Sequence, residues 1–296
     1  MGRVCMSRDI LMTIQGHMGE FSKGKKRIGQ FILKNYDKAA FMTAAKLGET
    51  VGISESTVVR FAADLGYDGY PAMQKALQEM IRSKLTSVQR IEVSNDRLGD
   101  QDVLATVVQS DIEKLRLSLE GIDREEFSRV VDAIVNAKNI YILGVRSAAA
   151  LSDFLTFYFN MIFSSVRQVK TTLASEMFEQ LLRVGPEDVV IGISFPRYST
   201  RTVRGMEFAR DQGATVVAIT DSEMSPLCQT ASLRLLAKSD MASFVDSLVA
   251  PLSIINALIV AVGRKRAAEV TETFERLESI WDEYQVYEKV EVLNNK

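Results

Sequence analysis

The residue types that could do chemistry in this 296-residue chain gather in three loops and one short helix. The first loop is Gly144-Val145-Arg146-Ser147-Ala148. The second is Ser194-Phe195-Pro196-Arg197-Tyr198-Ser199-Thr200. The third is Thr220-Asp221-Ser222, running on to Ser225-Pro226. Each follows a short β-branched run, and the first two open into helical patterns. Such a loop puts hydroxyls and an arginine at a helix N-terminus, where free amides and the helix dipole favour an anion. Arginine adds bidentate contact to phosphate or carboxylate. The expected contacts to such an anion are Arg146, Ser147, Ser194, Arg197, Tyr198, Ser199 and Thr200. The competing reading is that these serines only cap helices. Anion binding is preferred because both loops carry the same chemistry, and they lie side by side if their strands are neighbours.

The short helix belongs to the stretch Thr43 to Pro71, TAAKLGETVGISESTVVRFAADLGYDGYP. Ala44, Leu47 and Val51 recur at i, i+3, i+7, and Val58, Phe61, Ala62 and Leu65 at i, i+3, i+4, i+7, so two amphipathic helices are expected. Gly52 stands where a helix end takes left-handed backbone, and Ser54 where a hydroxyl caps the next helix. The outer face of the second helix carries Ser56, Arg60 and Ala63, with Thr57, Val59 and Asp64 beside them. Short residues and one reaching guanidinium suit a helix that enters a groove about 12 Å wide and reads base edges. An ordinary helical hairpin has the same apolar spacing, so the outer face is what argues for a helix-turn-helix. Ser54, Ser56 and Thr57 are the expected contacts near the helix start, and Arg60 the contact to a base edge or phosphate. Lys25, Lys26, Arg27 and Lys46 would supply charge to backbone phosphates, which makes binding salt-sensitive.

Catalysis has little support. The one histidine, His17, lies outside the half that holds the three loops. There is no Gly-x-Ser-x-Gly and no Walker loop, and Cys5 and Cys228 make neither a metal spacing nor a disulfide framework. Glu176 could serve as a base as any carboxylate could, but helix surface is the simpler reading. No catalytic residue, metal or cofactor is expected. A hydrophobic content of 47% and 25% charged residues are those of a globular protein. The net charge of −2 hides an asymmetry: residues 1–90 hold 14 Lys+Arg against 8 Asp+Glu, and residues 91–296 hold 22 against 30. A basic amino-terminal piece on an acidic body points to a polyanionic partner. No secretory pattern is evident. The most apolar run, Leu248 to Val262, is interrupted by Pro251 and Asn256 and is shorter than the about 20 residues a bilayer needs. It reads as a buried or interface helix. A cytoplasmic protein with no membrane partner is expected.

The elements that must position these groups follow from periodicity. Residues 1–20 read as an irregular, flexible start. A helix over Lys25–Asn35, capped by Ser22, turns Ile28, Phe31 and Ile32 inward. Pro71 suits the first turn of a helix that buries Met73, Leu77, Met80 and Ile81 and ends near Arg90. Residues 91–102 read as a linker, and Val103–Leu119 as a connecting helix. Strands are expected over 139–143, 166–169, 188–193, 215–220 and 233–236. Helices are expected over 125–136, 146–163, 174–183 and 200–212, and two long ones over 244–284. Short apolar strands separated by helices mean βαβ units and a parallel sheet covered on both faces. The fold class is therefore α/β: an all-α helix-turn-helix domain over 1–90, a linker and connecting helix over 91–124, a parallel-sheet, flavodoxin-like domain over 125–265, and a C-terminal helix and tail over 266–296.

From the Lys25 helix to Ile81 the chain resembles the helix-turn-helix domain of the RpiR family of transcriptional regulators; SESTVVRFAADLGYDGYP is close to that family's most recognisable segment. Residues 125–265 resemble the sugar isomerase (SIS) domain that follows it in those regulators. The resemblance implies a cytoplasmic regulator whose SIS domain dimerises and senses a small metabolite, usually a sugar phosphate. The ligand half departs from pattern. Many SIS domains have Gly-x-Gly-x-Ser at the first exit, where this chain has Gly144, Arg146 and Ala148. The second exit is usually Ser-x-Ser-Gly-x-Thr, where Ser194 and Ser199 keep hydroxyls but Pro196 and Arg197 replace serine and glycine. A guanidinium where glycine lets backbone approach a phosphate changes how an anion can sit. The expected partners are a double-stranded DNA operator, a small anionic metabolite (a phosphosugar or a sugar acid) and a second copy of the chain, as homodimer or tetramer, with the apolar helix over 244–263 as candidate dimer surface. Two other readings compete. A sugar-phosphate isomerase would need an acid/base near the sugar carbons, and the altered loops without histidine argue against it. A metabolite-binding module whose amino-terminal half meets protein is opposed by the charge balance and the Ser56/Arg60 face.

Overall fold

A computed structural model of the chain describes residues 10–99, 101–170, 174–240 and 243–288. It divides into two compact units: Met1–Glu113 with Ser239–Ser247, and Lys114–Lys238 with Leu248–Lys296. Among the described residues no helix is long and apolar enough to cross a membrane.

The first unit is helical. In chain order its helices are α1 (Ile10–His17), α2 (Lys23–Lys34), α3 (Tyr36–Ala39), α4 (Ala44–Val51), α5 (Glu55–Asp64), α6 (Tyr70–Lys84), α7 (Ser87–Leu98) and the start of α8 (Val103–Gly121). Its core is built from the positions the periodicity selects, with Ile28, Ile32, Leu47, Val58, Phe61, Leu77 and Ile81 fully buried. The α4–α5 turn is fixed by backbone. Gly52 sits at φ 67 and ψ 44, and the Ile53 amide donates to the Gly48 carbonyl at 2.8 Å. A Cβ on Gly48 would lie 2.6 Å from the Ile53 carbonyl oxygen, so only glycine lets the chain fold back this tightly. Gln74, Gln78 and Tyr70 of α6 donate to the carbonyls of Met42 (2.7 Å), Ala40 (2.8 Å) and Met42 (2.7 Å), satisfying backbone between α3 and α4. Burial pushes the Tyr70 hydroxyl up to about 12.

Two expectations are corrected here. Of the irregular start, residues 1–9 lie outside the described residues, while Ile10–His17 is helical because Ile10 and Ile14, one turn apart, bury against the unit's core. The helix from Pro71 stops at Lys84 rather than near Arg90, and the linker expected from residue 91 falls largely within α7. A capping box at Thr86 and Gln89 opens α7. Val93 and Ser94 are buried along it, and buried Arg90 donates to Asp246 at 2.6 Å. The polar composition masked a helix whose start signal, Thr-x-x-Gln, stands in the sequence.

The second unit is an α/β sandwich. After the end of α8 come α9 (Arg124–Val135), β1 (Ile140–Gly144), a single 3-10 turn over Arg146–Ala148, α10 (Ala149–Phe159), β2 (Val166–Gln168), α11 (Ala174–Leu181), β3 (Val189–Ile193), α12 (Thr200–Asp211), β4 (Thr215–Thr220), α13 (Pro226–Thr230), β5 (Leu233–Leu236), α14 (Val249–Lys265) and α15 (Ala267–Glu283). All strands are parallel, in the order β2-β1-β3-β4-β5. β1 and β3 are bury-through runs, as a sheet covered on both faces requires. One core joins α9, α10 and α14 to the sheet; the other joins α11, α12 and α13. α12 lies close on the strands because both sides supply glycine: a Cβ on Gly205 would fall 2.4 Å from Leu143 Cδ2, and one on Gly192 would fall 2.1 Å from Met206 Sδ. The helix expected over 244–263 begins at Val249; Ser239–Ser247 belongs by its packing to the first unit, where Ser247 donates to Asp111 at 2.6 Å.

Candidate functional site

The first candidate site is the outer face of α5. Ser54 occupies the cap position, but its hydroxyl does not accept an amide as expected. It lies 2.8 Å from Thr57 Oγ1 and 3.1 Å from Ser56 Oγ. Three hydroxyls thus cluster at the amino end of α5, with Ser54 and Ser56 exposed and Thr57 half-buried. Arg60 is exposed, and its Nε donates to the Ser56 carbonyl at 3.2 Å, which draws the guanidinium back toward the start of the helix. Val58, Phe61 and Ala62 hold the opposite face in the core. The α2 cations behave differently from one another. Lys25 forms an ion pair with Asp64, the last residue of α5. The Arg27 guanidinium lies against the turn, 3.0 Å from where a Cβ on Gly52 would be. Lys26 is half-buried. Lys46 pairs with Glu49 at 3.0 Å, both well exposed, a contact worth about 0.2–1 kcal/mol that a phosphate could displace.

The second candidate site is the carboxyl edge of the sheet. β1 and β3 are direct neighbours, with Gly144 opposite Ile193, so the first two loops leave adjacent strand ends. Strand order reverses there, with β2 on one side and β4 on the other, which is where open parallel sheets bind ligands. At the first exit a Cβ on Gly144 would lie 2.8 Å from the Ala148 carbonyl and 2.9 Å from Ser152 Oγ. Arg146 follows at φ 58, a left-handed conformation that costs a non-glycine residue about 1–2 kcal/mol. Arg146 and Ser147 are exposed. Behind them, Gln168 donates to Ser152 at 3.2 Å and to Asp153 at 2.6 Å, and Lys170 pairs with Asp153 at 2.9 Å. Those hydrogen bonds from Lys170 and Gln168 hold the Asp153 carboxyl below its usual value. Sequence reasoning passed over this polar set; a serine and an aspartate at the start of an otherwise apolar helix were the signal.

At the second exit the hydroxyls are largely committed. Buried Ser194 accepts from the Ser199 amide at 2.9 Å, and Ser199 caps α12 by accepting from the Thr202 amide at 3.3 Å. The capping reading therefore holds for Ser199, and its cap leaves the helix start, with the Thr200 and Arg201 amides, at the strand ends. Tyr198 donates to buried Asp221 at 2.8 Å, which ties the second exit to the third. Thr220 Oγ1 lies 3.3 Å from that carboxylate and 2.8 Å from Ser225 Oγ. Arg197 and Thr200 are exposed. Neighbouring strand ends thus carry Arg146 and Ser147 on one side and Arg197, Ser199 and Thr200 on the other, with Ser194 and Tyr198 bonded within the second exit and to Asp221. Residues 171–173, which follow the β2 edge, lie outside the described residues. Among the described residues there is no cluster of three or more metal-ligating side chains. Burial pushes the Cys228 thiol up to about 11, so it is a poor nucleophile.

Away from the sheet edge, α10 and α14 pack side by side and turn apolar side chains outward. Phe157 is 56% exposed and Val260 61%, with Tyr158 beside them.

Comparison with known proteins agrees with this division. The model of the helix-turn-helix domain of the rpiR family matches residues 8–84, and the model of the SIS domain matches residues 133–261. The chain is similar to the HTH-type transcriptional regulator HexR of Pseudomonas aeruginosa, 24% identical over 277 residues that cover 91% of this chain and 94% of the relative. It shares its fold with the Vibrio vulnificus NanR protein complexed with ManNAc-6P, at 21% identity and TM-score 0.58, covering 93% of this chain and 98% of the other. The sugar isomerase domain of an RpiR transcription factor from Sphaerobacter thermophilus matches 60% of this chain and 99% of its own length, at 24% identity and TM-score 0.58.

Proposed function

Since the chain belongs to the RpiR family of helix-turn-helix transcriptional regulators, we propose that it reads a duplex operator with α5 and is governed by a small anionic metabolite bound at the β1 and β3 strand ends. The observation that carries the first half is the outer face of α5. There Ser54, Ser56 and Thr57 cluster at the helix start and Arg60 reaches along it, in a unit rich in cations. Ser54, Ser56, Thr57 and Arg60 contact bases and nearby phosphates; Lys25, Lys26, Arg27 and Lys46 add charge. The effector is a phosphosugar or a sugar acid. Arg146 and Arg197 form charge-assisted hydrogen bonds to it, Ser147, Ser199 and Thr200 offer hydroxyls, and Ser194 and Tyr198 shape the loop. The ManNAc-6P in the NanR structure supports a phosphorylated sugar in this class of fold.

The working division is a DNA-binding domain over 1–90, a connecting segment over 91–124, an effector domain over 125–265 and a C-terminal helix over 266–296. The protein acts in the cytoplasm as a homodimer, or a tetramer built from two, through the apolar face of α10 and α14. A two-fold dimer presents its two α5 helices to half-sites about 34–36 Å apart or a multiple of that. Ligand changes DNA affinity by binding one arrangement of the dimer better than another. The test is fluorescence anisotropy against duplexes tiled across the DNA flanking the gene, at two salt concentrations. One tile bound far more tightly than the rest establishes the operator, which then reports on sugar phosphates and sugar acids. Uniform binding would leave charge without readout and sink the reading.

A further inference from the structure

We propose that α2 is a phosphate rail separate from the reading helix: Lys23, Lys26, Arg27 and Lys34 carry most of the sequence-independent affinity for duplex DNA, while α5 carries the discrimination. This rests on the reading of α5 as the helix that enters the groove.

The charge is not where the reading face is. α5 holds one arginine against Glu55 and Asp64, and α4 balances Lys46 with Glu49. α2 holds Lys23, Lys25, Lys26, Arg27 and Lys34 and no carboxylate, which is most of the cation excess of residues 1–90. A reading helix with more carboxylates than cations does not draw in a polyanion, so neutralisation falls to a neighbour. Three lysines stand in the first turn of α2, where the positive end of the helix dipole opposes them. Residues chosen against their own helix mark a surface whose charge serves something outside it.

Geometry supports the same division. Lys25 is occupied by Asp64. Lys23, Lys26, Arg27 and Lys34 have no carboxylate partner among the described residues, and all but half-buried Lys26 are exposed. Lys23, Arg27 and Lys34 fall at i, i+4 and i+11 on one helix face, with Gln30 between them, a row about 16 Å long. That row is long enough to run beside several phosphates of one strand. Ile28 and Ile32 fix the other face in the core. A Cβ on Gly24 would lie 3.3 Å from Ile53 Cδ1 in the turn before α5. With the Lys25–Asp64 pair, the first turn of α2 meets the chain at both ends of α5, so a rail that sits on the backbone sets how α5 enters the groove.

The experiment measures anisotropy of the full-length protein with two labelled duplexes, a random sequence and the best-bound tile, between 50 and 200 mM salt. Lys23→Gln, Arg27→Gln and Lys34→Gln are tested singly and together. Each is expected to flatten log K against log salt by about 0.9, on both duplexes alike. The triple variant therefore loses roughly 40-fold less affinity than wild type across that range. The ratio of tile to random binding stays within about threefold, following the rule that phosphate contacts position and base contacts specify. Arg60→Ala is expected to do the converse, collapsing the ratio with a slope change smaller than one contact. Lys75→Gln, an exposed cation on α6, leaves the slope as it is. A wild-type slope in the triple variant, with an unshifted thermal midpoint, overturns the proposal, as does an equal effect from Lys75→Gln. If the triple variant melts early, the single variants decide. A wild type with a steep slope and no preferred tile overturns the reading of α5 and leaves the rail standing.

Discussion

The two candidate sites use the same residue types in opposite ways. On α5 the two serines and the arginine are exposed and the threonine half-buried, and their hydrogen bonds are to one another or to their own helix. At the sheet edge, Ser194, Ser199 and Tyr198 are spent on the loop itself, bonding the Ser199 amide, the Thr202 amide and Asp221. A helix satisfies its own backbone, so its outer side chains stay available to a partner. A loop of irregular backbone must be satisfied by its own side chains, and at these loops Arg146, Ser147, Arg197 and Thr200 are the exposed residues. The difference teaches that a hydroxyl in a loop and a hydroxyl on a helix face are not equal evidence for binding.

That contrast can be broken most strongly at the turn that presents α5. Gly48→Ala should destabilise the protein by about 2–3 kcal/mol in a urea melt, because its Cβ would meet the Ile53 carbonyl at 2.6 Å. Helix propensity alone predicts a gain of about 1 kcal/mol, so the sign of the change decides between local and tertiary control. Next in size, Arg60→Ala should weaken binding to the preferred tile by about 1–3 kcal/mol with no loss of stability; a shifted melting midpoint would mean that Arg60 is structural like the loop residues.

A smaller effect concerns Tyr70, a buried hydroxyl committed to the fold. Its ionisation is raised from 10.0 to about 12, so the unfolded chain gives up the proton first. The stability it confers is complete below pH 10 and is lost as pH rises toward 12, by roughly 1–2 kcal/mol. Tyr70→Phe should flatten that alkaline loss in denaturant melts at pH 9 to 12; an unchanged slope would show that the hydroxyl is not held neutral. Smallest is Arg146→Gly, which should raise stability by about 0.5–1 kcal/mol by relieving φ 58. It should also blunt release or tightening of the operator by sugar phosphates and sugar acids. Unaltered response would place the effector away from the first exit.

Much of the fold could be read directly. α4, α5 and α6 follow from apolar spacing; β3 and β4 are short apolar runs between helical patterns; and Gly52 and Pro71 stand where a helix ends and begins. α1 was hidden because Ile10 and Ile14 are too short a pattern until the core they enter is known. α7 was hidden because polar residues dominate it, two of the buried ones being Arg90, which bonds Asp246 far along the chain, and Ser94. The outer face of α5 was legible for the same reason that its helix was, since a period of 3.6 sorts inside from outside with no knowledge of the rest.

By itself, then, the sequence determined the order of elements, the family resemblance, the outer face of α5 and the like chemistry of two loops. These depend on periodicity and local backbone preference, which are properties of neighbouring residues. Tertiary structure alone decided that Gly144 pairs opposite Ile193, that Tyr198 turns to Asp221, that Lys25 is taken by Asp64 and that Arg146 stands in left-handed backbone. Each joins groups distant in the chain or sets a conformation imposed by packing, and no local preference encodes which of many compatible partners a folded chain brings within reach.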